Sequence, residues 1–320
     1  MKTIVITGCT SGIGHSAAEH LLARGHRVIG GTCDPGAPPA VEQHPLQLAD
    51  LNSVRTFASK LSNMQIGALV LNAGVQAYNV DAKTIQGYER TFGINHLAHY
   101  LLARLLLPQL ADGGAIIFTT SATHDPAEKI GLPTPRHTNT DWLAHPEHDP
   151  NLDRKPITAG LRAYTTSKLC NIMTAQTLSR QPEAIARNLR IHAYDPGLVA
   201  GTGLVRTGAF PLRHLIWPIL SLLNPILKGS NTLTNAGQTL ANLAEAPIDT
   251  GGHIYCSLRK AKLVGMPPSL MAQNTTACEH LWHESAELVS WHTPKPGANG
   301  ASHTSEGRSP SYESQEPRDL

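Results

Sequence analysis

Residues 3–14 read TIVITGCTSGIG, an apolar, β-branched run that enters a cluster of glycines. Ser16 to Arg24 follow with the spacing of an amphipathic helix closed by Gly25, and a second apolar run, RVIGG, occupies 27–31. Strand, glycines, helix and strand in that order form the βαβ unit of a parallel sheet. The glycines have a chemical use in such a unit. A dinucleotide brings its pyrophosphate against backbone N–H groups at a helix start, where side chains must be absent. Gly8, Gly12 and Gly14, with Ser11 and Ile13 between them, meet that need, although the spacing is not the tight GxGxxG.

The same alternation continues outward. Asp34 to Pro45 is rich in Pro and Gly and reads as loop, and Leu51 to Leu61 as a helix starting near Asn52 or Ser53. Ala68 to Leu71 is strand, turning at Asn72-Ala73-Gly74. Thr84 to Leu110 reads as helix broken near Gly93, and Ala115 to Thr119 as strand. From Ala122 to Gly160 the rhythm stops among prolines, histidines and charges, and a segment that long inside a compact domain is functional or mobile. Helix is expected over Leu161–Arg180, Leu233–Glu245 and Ala272–Ser290, and strand over Leu189–Tyr194 and Gly252–Ser257. Beyond Trp291 the composition cannot build a core. The expected architecture is α/β, one doubly wound parallel sheet flanked by helices, in a single domain over 1–291. It carries a lid-like insertion at 122–160 ahead of the helix bearing Tyr164, a substrate flap at 203–230 and a disordered tail at 292–320.

Composition removes several classes of function. The 320 residues have a formal charge of +2 and 5% aromatics, so no basic surface is available to track phosphates, and nucleic acid is not expected as a partner. Cys9, Cys33, Cys170, Cys256 and Cys278 are scattered without a CxxC pair, which argues against a disulfide framework or a zinc site. Seventeen histidines invite a metal reading. His96 and His99 stand three apart, while His124, His137, His145 and His148 lack ligand spacing, and no metal is expected. The oily stretch Leu215–Leu227 is too short, and too interrupted by proline, to span a bilayer, although it suits peripheral contact. Met1-Lys2-Thr3 leaves no room for a signal peptide before the first strand. A soluble, cytoplasmic protein is the expectation.

Two residues carry the chemistry. Tyr164 and Lys168 are four apart, so on a helix they share one face. A phenol with a pKa near 10 is a poor acid–base catalyst at neutral pH, and a neighbouring ammonium lowers that value. The phenol then gives a proton to a carbonyl oxygen, or takes one from an alcohol, as hydride moves at carbon. Ser121 ends the strand AIIFTT, at the carboxyl edge of the sheet, placed to hydrogen-bond a substrate oxygen.

TGxxxGIG, NAG at 72–74 and YTTSK at 164–168 together resemble the short-chain dehydrogenase/reductase family over about residues 2–257. Within it, NHLAHYLLARLLLPQL at 95–110, SKLCN at 167–171 and PGLVAGTGL at 196–204 are similar to the branch of retinol dehydrogenases and light-dependent protochlorophyllide reductases. The resemblance implies a Rossmann-type fold and a nicotinamide cofactor held by the glycine loop and by Asn72, Ala73 and Gly74. It implies Ser121 as the catalytic serine, and Lys168 as holding the nicotinamide ribose. Asn95 would kink its helix and hold a water that links Lys168 to solvent. Pro196, Gly197, Val199 and Thr202 would form the nicotinamide loop. Helices near 97–110 and 161–178 often pair family members, so a monomer or a homodimer is implied.

Three departures individualise the chain. The acid that selects NAD would fall on Thr32 and the arginine common in this branch on Cys33. With no acid to repel a phosphate, and with Ser11 and Thr32 able to bond one, NADP(H) is favoured over NAD(H). Asp34 comes one or two places late for a ribose. The acid that meets the adenine is replaced by Gln47, followed by Leu48. The span from Ser121 to Tyr164 is far longer than is usual in the family. The expected function is hydride transfer between a nicotinamide and a carbonyl or alcohol of a bulky lipophilic or aromatic small molecule. Reduction of an activated carbon–carbon double bond, a non-redox reaction and a catalytically silent dinucleotide-binding role are the alternatives.

Overall fold

Seven parallel strands and one antiparallel strand form a single sheet in the order β3-β2-β1-β4-β5-β6-β7-β8. The computed structural model describes residues 1–199 and 231–291. The strands are β1 (Thr3–Thr7), β2 (Arg27–Gly31), β3 (Glu42–His44), β4 (Ile66–Leu71), β5 (Leu110–Thr119), β6 (Arg190–Asp195), β7 (Tyr255–Arg259) and β8 (Lys262–Gly265). All six residues of β4 are buried, as expected of a strand covered on both faces. The helices are α1 (Gly12–Ala23), α2 (Leu51–Lys60), α3 (Arg90–Phe92), α4 (Ala98–Leu106), α5 (Thr140–Ala144), α6 (Pro156–Ser179), α7 (Pro182–Ala186), α8 (Leu233–Glu245), α9 (Leu270–Gln273) and α10 (Thr275–Leu288).

Two apolar layers sandwich the sheet. On one face α2, α4, α6 and α10 bury a core with Phe57, Leu101, Ile172 and Leu281. On the other, α1 and α8 pack Ala17, Leu21, Ala236 and Leu240 over Ile4, Ile6 and Val70. Gly237 lets α8 approach closely, since a Cβ there would come within 2.5 Å of Ser16. Strand order reverses between β1 and β4, and in open α/β sheets a ligand crevice lies at the carboxyl ends of the strands beside such a point.

Several boundaries differ from the sequence reading. The stretch 34–45 is not all loop: Glu42–His44 pairs with β2 in parallel. β8 was not foreseen either, and pairs with β7 alone. The helix expected over 84–110 begins at Arg90, capped by Glu89, and is bridged rather than broken at Gly93. There a π-helical turn, Gly93–Leu97, widens one turn and runs into α4. α2 is capped by Asp50, whose carboxylate accepts from Asn52 N at 2.9 Å. α6 starts at Pro156, the favourable first helical position for proline, so the irregular segment is shorter than 122–160. The expected terminal helix divides at Asn274, which caps α10.

Residues 122–155 contain short helical turns and α5. They are tied to the body by the ion pair of Asp153 with Arg162 at 2.6 Å and by Thr140 donating to Glu284 at 2.8 Å, while Arg136 pairs with Asp153 at 2.6 Å within the segment. The expected flap (203–230), Thr202 and the expected tail (292–320) lie outside the described residues.

Candidate active site

A crevice of about 470 Å³ runs along the carboxyl ends of β1, β2, β4, β5 and β6. It is lined by Gly8, Ser11, Gly12, Ile13, Thr32, Cys33, Gln47, Leu48, Asn72, Ala73, Gly74, Ser121, Tyr164, Lys168, Pro196, Gly197 and Val199. Every described residue singled out from the sequence is therefore at this crevice except Gly14 and Asn95, which stand immediately behind it.

Gly8 adopts φ +71, and a Cβ on it would meet Ala73 Cα at 2.8 Å. A Cβ on Gly14 would lie 2.2 Å from Gly8 O and 2.4 Å from Asn72 Nδ2. The first turn of α1 thus presses against β1 and β4, leaving bare backbone facing the crevice. Asn72 fixes the loop by donating to Thr7 O at 3.2 Å and Gly8 O at 3.3 Å. The Thr7 hydroxyl accepts from Asn72 N and Ala73 N, both at 3.0 Å. Its proton is then directed to His99 Nε2 at 3.1 Å, which makes His99 the neutral Nδ1–H tautomer donating to Asn95 O, also at 3.1 Å. Burial holds His99 down to about 3, consistent with that neutral state. His99 therefore links the glycine loop to the π turn. His96 Nε2 meets Ser285 Oγ at 2.9 Å. No cluster of His, Cys, Asp or Glu fit for a metal occurs among the described residues.

At the end of β2, Thr32 Oγ1 accepts from Asp34 N at 2.9 Å and donates to Asp34 O at 3.2 Å. Cys33 is exposed. Gln47 is exposed as well. Asp50 is engaged as the α2 cap and with Gln86.

The chemical end is built around α6. Tyr164 and Lys168 are 7% and 4% exposed, deep in the crevice wall. Lys168 Nζ donates to Thr119 O at 3.0 Å and stands 5.6 Å from the Tyr164 ring centre. The Ser121 side chain lies beside the Tyr164 phenol and acts to lower its pKa, and it accepts from Thr123 N at 3.3 Å. Thr120 also lines the crevice, and its Oγ1 donates to Lys168 O at 2.8 Å. Asn95 is fully buried inside the π turn. Its Oδ1 accepts from Val75 N at 2.8 Å, and its Nδ2 donates to Val75 O at 2.9 Å and Ser167 Oγ at 3.0 Å. A Cβ on Gly74 would be 3.4 Å from both Asn95 Oδ1 and Lys168 Nζ, so the glycine is the gap across which those two groups face each other.

The electrostatics correct one expectation. The Tyr164 phenol is not lowered by its lysine but raised, chiefly by burial and secondly by the charge of Asp195, with the Ser121 side chain opposing. Burial pushes the Lys168 ammonium down to about 8, and Asp195 resists that fall. Desolvation outweighs the pairwise attraction because both side chains share one dry wall.

Three participants escaped the sequence reading. Asp195 ends β6 beneath the dyad and is 1% exposed. His124 donates from Nδ1 to Ser121 O at 2.8 Å and accepts at Nε2 from Ser269 N at 3.1 Å. Asn231 donates to Pro196 O at 2.9 Å and Leu258 O at 2.6 Å, anchoring the Pro196-Gly197 turn. Asp195 could have been noticed as an acid immediately before Pro-Gly; the other two act through contacts with no local signature.

Bare glycine backbone at a helix start, the switch point beside it and a buried Tyr–Lys pair define a dinucleotide-binding fold of the oxidoreductase type. The family model for short chain dehydrogenase matches residues 2–129. Human retinol dehydrogenase 12 is 30% identical over 90% of this chain and 86% of its own length. A protein of Streptomyces sp. (strain C5) named as a daunorubicin C-13 ketoreductase is 34% identical over 65% of this chain and 71% of that protein. Protochlorophyllide reductase A of Oryza sativa subsp. japonica is 32% identical over 67% of this chain, and the match spans 62% of that protein's length. A crystal structure of an uncharacterized protein from Mycobacterium paratuberculosis superposes with a TM-score of 0.65 at 28% identity, covering 91% of this chain and 94% of that one. The chain belongs to the short-chain dehydrogenase/reductase family.

Proposed function

We propose that this protein is an NADP(H)-dependent reductase of carbonyl groups on bulky lipophilic or polycyclic molecules, with Tyr164 as the acid. The observation that carries the reading is the meeting of Tyr164, Lys168 and Ser121 at one end of the crevice whose other end is the glycine loop. A nicotinamide supplies the hydride when bound. Gly8, Ser11, Gly12, Ile13 and Gly14 would hold its pyrophosphate, the backbone fit being the one that added Cβ atoms would destroy. Thr32 and Ser11 would take the 2′-phosphate, and the lack of an acid at position 32 leaves nothing there to repel it. Leu48 and Gln47 would face the adenine, and Val199 with the Pro196-Gly197 turn, continued by Thr202, the nicotinamide.

The chain's own residues divide the proton work. A buried phenol with a raised pKa keeps its proton at neutral pH and is poised to deliver it to a substrate oxygen. Ser121, which lines the crevice beside that phenol, donates to the same oxygen as negative charge develops. Lys168 binds ribose through its ammonium, and Asn95 serves the lysine from across Gly74. Support for the substrate class comes from the relatives, whose names specify retinol, daunorubicin and protochlorophyllide, all large and conjugated.

The test is a parallel titration with NADPH and NADH, read by fluorescence transfer from protein to nicotinamide, followed by a screen of lipophilic ketones and aldehydes. Tighter NADPH binding and ketone-dependent NADPH oxidation are expected. Binding of neither nucleotide would reject the reading, and tighter NADH binding would reject its cofactor assignment.

A further inference from the structure

Among the described residues, the buried acids are Glu89 and Asp195, and Lys168 is the one buried lysine or arginine. Glu89 is fully engaged as a helix cap, accepting from Thr91 N at 2.8 Å and Phe92 N at 2.7 Å. Asp195 is different, because it sits at the chemical end. Its Oδ2 accepts from Ser257 Oγ at 2.7 Å and from Tyr255 OH at 3.3 Å, and its Oδ1 from Gly197 N at 3.0 Å. β5 runs alongside: Thr119 is in register with Tyr194, and Thr120 N donates to Tyr194 O at 2.7 Å. The carbonyl that receives the Lys168 ammonium is therefore on the strand neighbouring Asp195, and strands in a sheet lie about 4.8 Å apart.

The other charged or titratable groups facing Asp195 are already engaged or neutral. From the segment after β5, His124 has both ring nitrogens occupied as a neutral imidazole, and burial holds it below its ordinary value. Glu128 is paired with Arg259 of β7, and Asp125 caps the turn at Ala127. Tyr255 and Cys256 of β7, Tyr194 of β6 and Tyr164 of α6 are all raised, so they stay neutral. Lys168 is left as the unpaired buried charge of opposite sign. Three donors hold the carboxylate against desolvation, and one of them belongs to the Pro196-Gly197 turn.

We propose that Asp195 is a positioning residue that keeps Lys168 protonated inside the protein and, through the same carboxylate, fixes the turn on which the nicotinamide rests. The role deepens the reading above and rests on it for its catalytic meaning. Its physical content, a charge coupling between Asp195 and Lys168, stands separately.

The experiment reads the Lys168 ionisation directly. Purified protein is pulsed with acetic anhydride across pH 6 to 11, and acetylation at Lys168 is quantified by peptide mass spectrometry. In the neutral variants Asp195→Asn and Asp195→Ser the Lys168 midpoint is expected to fall by about one pH unit or more, the size of effect a neighbouring opposite charge exerts. Ser257→Ala, which keeps the carboxylate, should leave the midpoint within a few tenths of the parent's. An unchanged midpoint in whichever neutral variant folds, or an equal shift in Ser257→Ala, overturns the proposal. NADPH affinity measured over the same range should weaken at correspondingly lower pH in the neutral variants. If the parent binds no nicotinamide nucleotide, the proposed function fails, while the acetylation midpoints still decide the coupling.

Discussion

Tyr164 and Lys168 illustrate how burial sets chemistry one residue at a time. The phenol is raised and the ammonium lowered, chiefly by the same desolvation. Tyr164→Phe should bind NADPH within about two-fold of the parent while turnover falls by roughly 10²–10⁴, the usual contribution of general acid catalysis; the check is a nucleotide titration beside steady-state rates. Lys168 carries its charge below about pH 8 and loses it above. Cofactor affinity should therefore be full below that pH and decline as pH rises through it, and Lys168→Met should abolish the inflection. The pairing of Tyr164 with Lys168 and the glycine turn were legible because their spacing is local: four positions on a helix, three glycines within seven. Asp195, His124 and Asn231 were not, because each acts on a residue it reaches only through the fold. The direction of the phenol's shift was also hidden, since sequence shows a neighbouring lysine but not the dry wall around both.

At the scale of elements, close packing of α1 against β1 and β4 makes the cofactor loop intolerant of bulk. Gly14→Ala would force its methyl into Gly8 O and Asn72 Nδ2. Both groups belong to the loop's own scaffold, so NADPH binding should fall by at least ten-fold, measured by the same fluorescence titration, with a lower melting temperature. The π turn at Gly93–Leu97 explains another misreading. Glycine at 93 suggested a break, yet the bare position is needed because a Cβ there would come within 2.4 Å of the Thr84 side chain. β3 and β8 were missed for a different reason: both are edge strands, EQH all polar and KLVG only four residues, too short for a period-two pattern to stand out in the sequence. The longer, buried strands announced themselves by apolar runs.

For the whole molecule, α10 acts as a strap across α4 and α6. Trp282 packs edge-on to Tyr100 at 5.0 Å, and Arg104 lies 4.5 Å from the centres of the Trp282 and Trp291 rings. Tyr100 OH donates to Trp282 O at 2.8 Å and Tyr88 OH to Leu288 O at 2.7 Å. Trp282→Ala removes a nearly buried indole from this stack and should destabilise the protein by about 3–5 kcal/mol, read as a fall in denaturation midpoint. The strap also covers the helices through which the family resemblance implied pairing. A monomer is therefore the expected outcome of light scattering on the parent, and a concentration-dependent dimer would count against that role for α10.

The division of labour along the crevice has a consequence for redesign. Thr32, Cys33 and Gln47 lie on the first part of the chain, whereas Ser121, Tyr164, Lys168 and Asp195 come from β5 onward, and the long segment 122–155 interrupts only the latter. Positions 32–34 and the segment 122–155 share no residue, so an engineer can edit either one while the other keeps its sequence, and the two ends of the crevice are open to change one at a time.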